Sequence, residues 1–187
     1  MRIIGGKFRG LGLAPVGKGD AAAHLRPTSD RVREAIFNLL LNGGYGDPVS
    51  AARVLDLFAG TGALGLEALS RGAAHCTFVD NGAKARSLIR ANVALTHTEA
   101  VTHLYQRDAA KLGPVPGDPF DLVFLDPPYA LGLGEKAMAA VLAGGWISPG
   151  ALVVWEESVS PVPPSALDQL DQRRYGDTMV SLFRHSR

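Results

Sequence analysis

From residue 53 onward, the order of apolar and polar positions predicts a regular alternation of strands and helices. Short apolar runs alternate with stretches in which apolar residues recur every three or four positions, as in an amphipathic helix. This alternation is typical of a parallel sheet, because a crossover between parallel strands usually contains a helix. The predicted strands are 53–57, 75–79, 101–105 and 122–125, and the predicted helices between them are 63–71 and 83–95.

The pattern also predicts a helix close to the N-terminus. Pro27 followed by Thr28 or Ser29 is a helix-start signal, and the sequence at 42–44, Asn-Gly-Gly, is a stop signal. Between these signals the apolar residues recur with the spacing of a helix that packs one face against a core. That face consists of Val32, Ala35, Ile36, Leu39 and Leu40.

The chain is expected to divide into an N-terminal extension, 1–44, and a main domain, 45–187. Residues 1–10 are predicted to form a short strand and turn, with Gly5-Gly6 as a hairpin. Residues 11–25 show little periodicity and are predicted to form a loop. The extension would then consist of a hairpin, a loop and one helix.

The last third of the chain is predicted to complete the sheet. Glycine and aspartate at 176–177 separate two short strand-like segments, which suggests an antiparallel hairpin. Trp146, Trp155 and Cys76 are predicted to be core residues. The predicted elements are a helix at 135–143, a strand at 151–155, a short helix at 165–170 and the two hairpin strands at 172–175 and 178–183.

Acidic residues follow four predicted strands. In an open α/β sheet the carboxyl ends of the parallel strands form one edge, and ligands bind there. The four acids are therefore expected to be close in space although they are distant in sequence. Glu156 and Glu157 follow the fifth strand, and a structural or solvated role is preferred for them. The four acids are Asp56, Asp80, Asp108 and Asp126.

A glycine-rich turn follows the first strand. Gly60, Gly62 and Gly65 match the G-x-G-x-x-G pattern, in which glycines let the backbone pass close beneath a nucleotide. That pattern alone does not distinguish NAD from S-adenosylmethionine. Asp56 before the glycines suits an ammonium group better than a pyrophosphate, and Asp80 is placed to accept the hydroxyls of a ribose. These two acids with the glycines describe an S-adenosylmethionine site.

The tetrapeptide Asp126-Pro127-Pro128-Tyr129 ends the fourth strand. Two prolines remove two backbone donors and hold the chain extended, which leaves carbonyl groups pointing outward. Asp126 and the Pro127 carbonyl can accept the two hydrogens of an exocyclic amine, while Tyr129 can stack on the ring. Such acceptors would localise the lone pair of a nucleobase amine and direct it at an electrophile. A proline-terminated strand in an ordinary turn is the alternative interpretation.

Charge is distributed unevenly along the chain. The net charge is only +1, but through Glu34 there are seven basic and three acidic residues, whereas the remainder has twelve basic and fifteen acidic residues. A basic N-terminal segment on a mildly acidic body is typical of proteins that bind phosphate backbones. The predicted RNA-binding residues are Arg2, Lys7, Arg9, Arg26, Arg31 and Arg33.

Four segments in this order resemble one enzyme family. The segment 56–73, D-L-F-A-G-T-G-A-L-G-L-E-A-L-S-R-G-A, and the later L-D-P-P-Y are similar to class I RNA guanine-N2 methyltransferases. The segments 2–10 and 26–38 narrow the resemblance to the bacterial small-subunit rRNA methyltransferase D family. This resemblance covers nearly the whole chain.

The resemblance implies a Rossmann-like class I fold: α/β, with a mostly parallel seven-stranded sheet, a C-terminal antiparallel hairpin and a small basic N-terminal extension. It implies transfer of a methyl group from S-adenosylmethionine to N2 of one guanine in 16S rRNA, in the assembling or assembled small ribosomal subunit. The cofactor site would consist of Asp56, Phe58, Gly60, Gly62, Asp80 and Asp108. Of these, Asp108 would accept a hydrogen bond from the adenine amine. The catalytic residues would be Asp126, Pro127, Pro128 and Tyr129.

Three other functions remain open from the sequence. A DNA adenine or cytosine amino-methyltransferase would use the same tetrapeptide but usually needs a larger recognition region. A protein glutamine methyltransferase more typically has Asn in place of Asp126. A non-enzymatic nucleotide-binding module gives no reason for the tetrapeptide.

The remaining expectations concern the setting of the protein. One cysteine allows no disulfide framework, which fits a reducing cytoplasm. No spacing of the five histidines suggests a metal site. No apolar run predicts a signal peptide or a membrane span. A monomer is expected.

Overall fold

A seven-stranded sheet forms the centre of the protein. The computed structural model describes residues 1–17, 28–129 and 131–186. The strand order is β3-β2-β1-β4-β5-β7-β6; β1 to β5 are parallel, and β7 is antiparallel to both of its neighbours. This confirms the predicted mostly parallel sheet with a C-terminal antiparallel hairpin. The strands are β1 (Arg53–Leu57), β2 (His75–Val79), β3 (Thr102–Tyr105), β4 (Phe120–Leu125), β5 (Ile147–Glu157), β6 (Leu167–Tyr175) and β7 (Thr178–His185).

Helices cover both faces of this sheet, which explains why the parallel strands are apolar on both sides. Buried residues of the first three helices pack with one face of the strands, and buried residues of the fourth helix pack with the other. The helices are α1 (Asp30–Asn42), α2 (Ala63–Ser70), α3 (Ala83–Thr96) and α4 (Leu133–Ala143), with short 3-10 helices at Glu99–Val101 and Ala109–Lys111.

The N-terminal helix begins where the sequence signals it. The side chain of Ser29 accepts a hydrogen bond from the backbone N–H of Val32, at 3.2 Å, and so caps α1. Ile36, Leu39 and Leu40 are buried as predicted, and Phe37 is buried beside them. The Phe37 ring packs 5.6 Å from that of Phe124 in β4, so α1 rests directly on the sheet.

The predicted short helix at 165–170 is wrong, because β6 begins at Leu167. Leu167 pairs with His185 of β7, and the antiparallel pairing continues to Tyr175 with a bulge between Gln169 and Asp171. The local spacing of apolar residues favoured a helix, but hydrogen bonds to a neighbouring strand determine the structure here. The strand β5 is also longer than predicted, since it begins at Ile147.

The N-terminal segment forms a wider turn than the hairpin predicted at Gly5-Gly6. Ile3 pairs with Leu11 through a backbone hydrogen bond of 2.9 Å, and Arg2 forms an antiparallel bridge with Gly12. Gly6 has a φ of +75°, and a Cβ at this position would be 1.9 Å from the carbonyl oxygen of Ser70. Glycine is therefore required here because the chain passes against the end of α2.

A buried carboxylate, Glu67 of α2, fastens this segment to the body. Its two oxygens accept hydrogen bonds from the backbone N–H groups of Ile4 and Gly5, each at 2.8 Å. Ile3 and Leu13 lie in the same hydrophobic core as the strands. The described parts of the extension and the main domain thus share one core, and their division at residue 44 stays a prediction. Within the described residues, no helix has the length and apolar character that a membrane span needs.

Candidate active site

The turn after β1 brings the backbone close to the sheet edge. Phe58, Gly60 and Gly62 all have positive φ angles, of 55°, 57° and 75°. Glycine adopts this left-handed conformation without steric cost, whereas Phe58 is a rare case for a residue with a side chain. The backbone N–H of Gly60 donates to a carboxylate oxygen of Asp80 at 2.9 Å, which joins the turn to the end of β2.

Asp56 connects β1 to α2. Its side chain is 2% exposed and accepts a hydrogen bond from the backbone N–H of Gly65 at 2.9 Å. Burial raises the pKa of the Asp56 carboxyl well above its ordinary value, although the bond from Gly65 opposes this. The Asp126 and Asp80 carboxylates raise the pKa further. Asp56 therefore ties the end of β1 to the first turn of α2, and its contact with a cofactor ammonium stays a prediction.

The Asp80 carboxylate accepts hydrogen bonds from the backbone of two loops, the one after β1 and the one after β2. One carboxylate oxygen accepts from Gly60 and the other from the N–H of Gly82, at 2.8 Å. Burial raises the pKa of Asp80, and these two bonds together with Arg86 oppose the shift. Each carboxylate oxygen has two lone pairs, so both oxygens retain the capacity to accept a further hydrogen bond from a ligand hydroxyl.

Asp108 lies at the same edge of the sheet but on the outer side, beyond β3. Its side chain accepts from the backbone N–H of Ala110 at 2.9 Å and caps the 3-10 helix Ala109–Lys111. Sequence spacing placed Asp108 correctly at a strand end. Its described hydrogen bond is local, so its proposed contact with an adenine amine stays a prediction.

The tetrapeptide 126–129 leaves the sheet beside the glycine turn. Leu125 and Leu57 are paired in register, and the backbone N–H of Asp126 reaches the carbonyl of Leu57 at 3.5 Å. The Tyr129 hydroxyl lies 3.1 Å from the Thr178 hydroxyl of β7, within hydrogen-bond distance. The two loops singled out from the sequence are therefore adjacent in space.

The structure adds two residues to this site, Thr28 and Glu156. The Thr28 hydroxyl lies 3.2 Å from a carboxylate oxygen of Asp126 and 3.3 Å from one of Glu156. Glu156 is the penultimate residue of β5 and is 2% exposed, so a solvated role for it is wrong, whereas the expected structural role is not contradicted. Its position at the strand end, equivalent to that of Asp126 on β4, was the available signal. Thr28 gave no sequence signal for this contact, because its partners are 98 and 128 residues away.

Among the predicted RNA-binding residues, Arg33 does not have the exposed position that was expected. It is fully buried in α1, where it donates to the Glu67 carboxylate, to Asp30 and to the carbonyl of Arg2. The prediction that it is free to reach a phosphate was wrong, because these partners occupy the guanidinium. Arg26 lies outside the described residues. The others are exposed: Arg2, Lys7, Arg9 and Arg31.

Comparisons with known proteins agree with this architecture. Residues 1–184 match the family described as "Conserved hypothetical protein 95". The chain is 39% identical over 168 residues to the "Ribosomal RNA small subunit methyltransferase D" of Escherichia coli strain K12, covering 85% of this chain and 75% of that protein. It is 36% identical over 190 residues to the protein of the same name from Haemophilus influenzae, covering 99% and 94%.

A solved structure supports the same assignment. The Escherichia coli protein described as "Putative methyltransferase yhhF" superposes with a TM-score of 0.81 and 34% identity, covering 100% of this chain and 98% of that one. The sheet order, the glycine turn and the relatives give one consistent result. The chain belongs to the "Conserved hypothetical protein 95" family, has the Rossmann-like class I methyltransferase fold, and is a relative of the small-subunit rRNA methyltransferase D proteins.

Proposed function

We propose that this protein transfers a methyl group from S-adenosylmethionine to the exocyclic N2 of a specific guanine in 16S rRNA. The proposed substrate is the assembling or assembled small ribosomal subunit, and the enzyme acts as a monomer in the cytoplasm. Relatives named as small-subunit rRNA methyltransferases support the substrate class. The division into a basic RNA-binding extension, 1–44, and a catalytic domain, 45–187, is part of this proposal.

The observation that carries the proposal is the adjacency of two loops at the carboxyl ends of β1 and β4. Leu57 and Leu125 are in register, so the glycine turn and the tetrapeptide begin at the same level of the sheet. A nucleotide cofactor on the first loop and an amine-bearing base on the second would therefore meet. Ligands of open α/β sheets bind at this edge.

The residues of the first loop fit S-adenosylmethionine. Gly60 and Gly62 hold left-handed backbone conformations and place no side chain over the turn. The Asp80 carboxylate is oriented by two backbone N–H groups and retains lone pairs for ribose hydroxyls. When bound, S-adenosylmethionine supplies a methyl group already activated on a sulfonium. The cofactor-binding residues we propose are Asp56, Phe58, Gly60, Gly62, Asp80 and Asp108.

The second loop would activate the amine. The lone pair of a guanine amine is delocalised into the ring, so acceptors that draw its hydrogens aside make the nitrogen more nucleophilic. We assign this role to the Asp126 carboxylate and the Pro127 carbonyl, with Pro128 keeping the loop extended. As nitrogen gains positive charge during transfer, Asp126 becomes a stronger partner and accepts the N2 proton, while the cofactor leaves as a neutral thioether.

Binding of the base and of the RNA would use different side chains. The Tyr129 ring, held by its hydroxyl contact to Thr178, would stack on the guanine. The guanine must be turned out of its surroundings to reach the loop, which favours an unpaired nucleotide. Exposed basic residues would contact phosphates, and the four we assign are Arg2, Lys7, Arg9 and Arg31.

Methyl transfer from radiolabelled S-adenosylmethionine to small subunits that lack the modification tests this function. The expected product is N2-methylguanosine at one position of 16S rRNA. Digestion to nucleosides identifies the product, and primer extension maps the position. Duplex DNA and free 16S rRNA serve as competing acceptors. Label in methyladenine or methylcytosine of DNA, or no label in any RNA, would contradict the proposal.

A further inference from the structure

One hydroxyl group lies between the buried carboxyl group of Glu156 and the half-buried one of Asp126 at the sheet edge. The Thr28 oxygen is 3.2 Å from Asp126 Oδ2 and 3.3 Å from Glu156 Oε1. A hydroxyl has one hydrogen to donate but can also accept. If both carboxyl groups were ionised, two acceptors would compete for that hydrogen, and the second would lack a donor from Thr28. If Glu156 holds a proton, it donates to the Thr28 oxygen, and Thr28 donates to Asp126.

The surroundings of Glu156 favour its protonated form. The groups that act on it are the Asp126 carboxylate on β4, the Asp56 carboxylate on β1, the Arg33 guanidinium on α1 and the Thr28 hydroxyl. Burial raises the pKa of Glu156 well above its ordinary value, and the two acids add to that shift. The bond from Thr28 and the charge of Arg33 act in the opposite direction but do not reverse it.

Arg33 does not neutralise Glu156 by pairing with it. Its described hydrogen bonds go to Glu67, to Asp30 and to the backbone carbonyls of Arg2 and Thr28. The bond to the Thr28 carbonyl, at 3.4 Å, instead ties the backbone of that residue to α1. The Thr28 hydroxyl is therefore held in place from the helix side, while β5 holds Glu156 opposite Val180 of β7.

We propose that Glu156 is a positioning residue of the methyl-transfer site, which remains protonated and, through the Thr28 hydroxyl, orients the ionised Asp126 carboxylate toward the substrate amine. This inference rests on the proposed function for the identity of the amine. Glu156 touches neither the amine nor the cofactor in this assignment. Its proton stays on the carboxyl group throughout, and Asp126 alone exchanges a proton with N2.

This arrangement predicts different results for two variants at position 156, one of which keeps the size of the side chain and one of which removes it. Glutamine at position 156 retains an N–H donor for the Thr28 oxygen and cannot ionise, whereas alanine removes the donor. Glu156→Gln is therefore expected to keep most of the turnover at neutral pH. Glu156→Ala is expected to lower kcat on the order of 100-fold, as for a misplaced reacting group, with unchanged KM for S-adenosylmethionine.

The dependence of turnover on pH tests the proposal further, because a purely structural role of Glu156 would not change the shape of this pH profile. In the wild type, turnover should fall on the alkaline side as Glu156 loses its proton and ceases to donate to Thr28. The Glu156→Gln variant should lack that fall. Thr28→Ser should behave as wild type, and Thr28→Val should resemble Glu156→Ala. Equal losses in the glutamine and alanine variants would overturn the proposal, because they would mean that the ionised carboxylate is required.

A measurement without substrate separates this inference from the proposed function. In protein labelled with ¹³C at glutamate side-chain carboxyls, one resonance should keep the shift of a protonated acid at pH 7, and Glu156→Gln should abolish it. A spectrum in which every glutamate titrates at ordinary pH would overturn the assignment to Glu156. If wild-type protein labels no RNA while the protonated resonance is present, the proposed function fails and the protonation of Glu156 stands.

Discussion

At the level of single side chains, Asp126 is the group whose interaction changes most during the proposed reaction. It accepts from a neutral amine at the start and faces a positively charged nitrogen as the new bond forms. Asp126→Ala and Asp126→Asn should therefore lower the rate by about 100-fold or more. Cofactor affinity should persist, because the proposed cofactor contacts lie at the carboxyl ends of β1, β2 and β3 and not on β4. Single-turnover methyl transfer and equilibrium cofactor binding measure the two quantities.

Asp118→Ala is a matched control for this prediction. Asp118 is an exposed acid just before β4, at the opposite edge of the sheet from Asp126. Its replacement removes an aspartate next to the same strand, but at the end of β4 that is distant from the site. Wild-type rates in the Asp126 variants, or a cofactor affinity that falls as much as the rate, would remove Asp126 from the mechanism.

The helix α1 contains two arginines, two positions apart, with opposite surroundings. Arg31 is exposed, whereas Arg33 is fully buried and paired with Glu67 at 3.4 Å. Arg33→Ala should lower the free energy of unfolding by about 3 kcal/mol, because removing one partner strands a buried charge. Arg31→Ala should leave stability unchanged but weaken RNA binding and reduce the salt dependence by about one phosphate contact.

Urea unfolding and RNA titrations at several salt concentrations separate these two effects. Glu67 keeps Arg71 and two backbone donors after Arg33→Ala, which places the expected loss near the lower end for a buried pair. If the Arg33→Ala protein is as stable as the wild type but binds RNA more weakly, the prediction from the sequence that Arg33 contacts RNA would be restored. An unchanged salt slope for Arg31→Ala would remove that residue from the RNA surface.

The contact between α2 and β2 depends on a residue without a side chain. A Cβ at Gly65 would be 2.4 Å from the Cys76 sulfur and 2.5 Å from the Phe78 ring. Gly65→Ala should therefore destabilise the protein by roughly 1–3 kcal/mol, as other overpacked cores do. Gly117→Ala is the control, because nothing lies within 4 Å of its Cβ position. Denaturant unfolding of both variants measures the difference, and equal stabilities would refute the packing argument.

How far the sequence predicts each element depends on where its partners lie. The strands β1, β2 and β4 were found because their apolar runs reflect burial on both faces, and their end positions followed from sheet topology. The segment 165–170 was assigned to a helix because its pairing with β7 leaves no local trace. The surroundings of Arg33 and Glu156 leave no local signal for a related reason: their partners, Glu67 and Thr28, lie 34 and 128 residues away.

For the protein as a unit, the site places several carboxyl groups at one buried edge. The shifts at Asp56, Asp80 and Glu156 all raise the pKa, and burial is the first cause in each case. Ionising these groups therefore costs more in the folded than in the unfolded chain. The cluster of carboxyl groups at this edge is therefore a source of instability at pH values where these groups ionise.

The cost of ionising Glu156 in the folded protein predicts how its contribution to the free energy of unfolding changes with pH. Glu156 has an ordinary pKa near 4.5 and a raised pKa when folded. As pH rises above 4.5, the unfolded chain releases this proton first, so wild-type stability falls until the folded pKa is passed. Glu156→Gln does not ionise. Its free energy of unfolding relative to wild type should therefore rise with pH above 4.5 and stay constant below it.

Denaturant unfolding of both proteins between pH 4 and pH 9 measures that difference. Asp80 is present in both proteins and is not among the groups that act on Glu156, so its own contribution cancels in the comparison. Glu99→Gln serves as the control for the same substitution at an exposed position, on a 3-10 helix away from the site. A pH-independent difference for Glu156→Gln would mean that this carboxyl group ionises as easily in the folded protein as in the unfolded chain. The proposal that a protonated Glu156 donates to Thr28 would then be wrong.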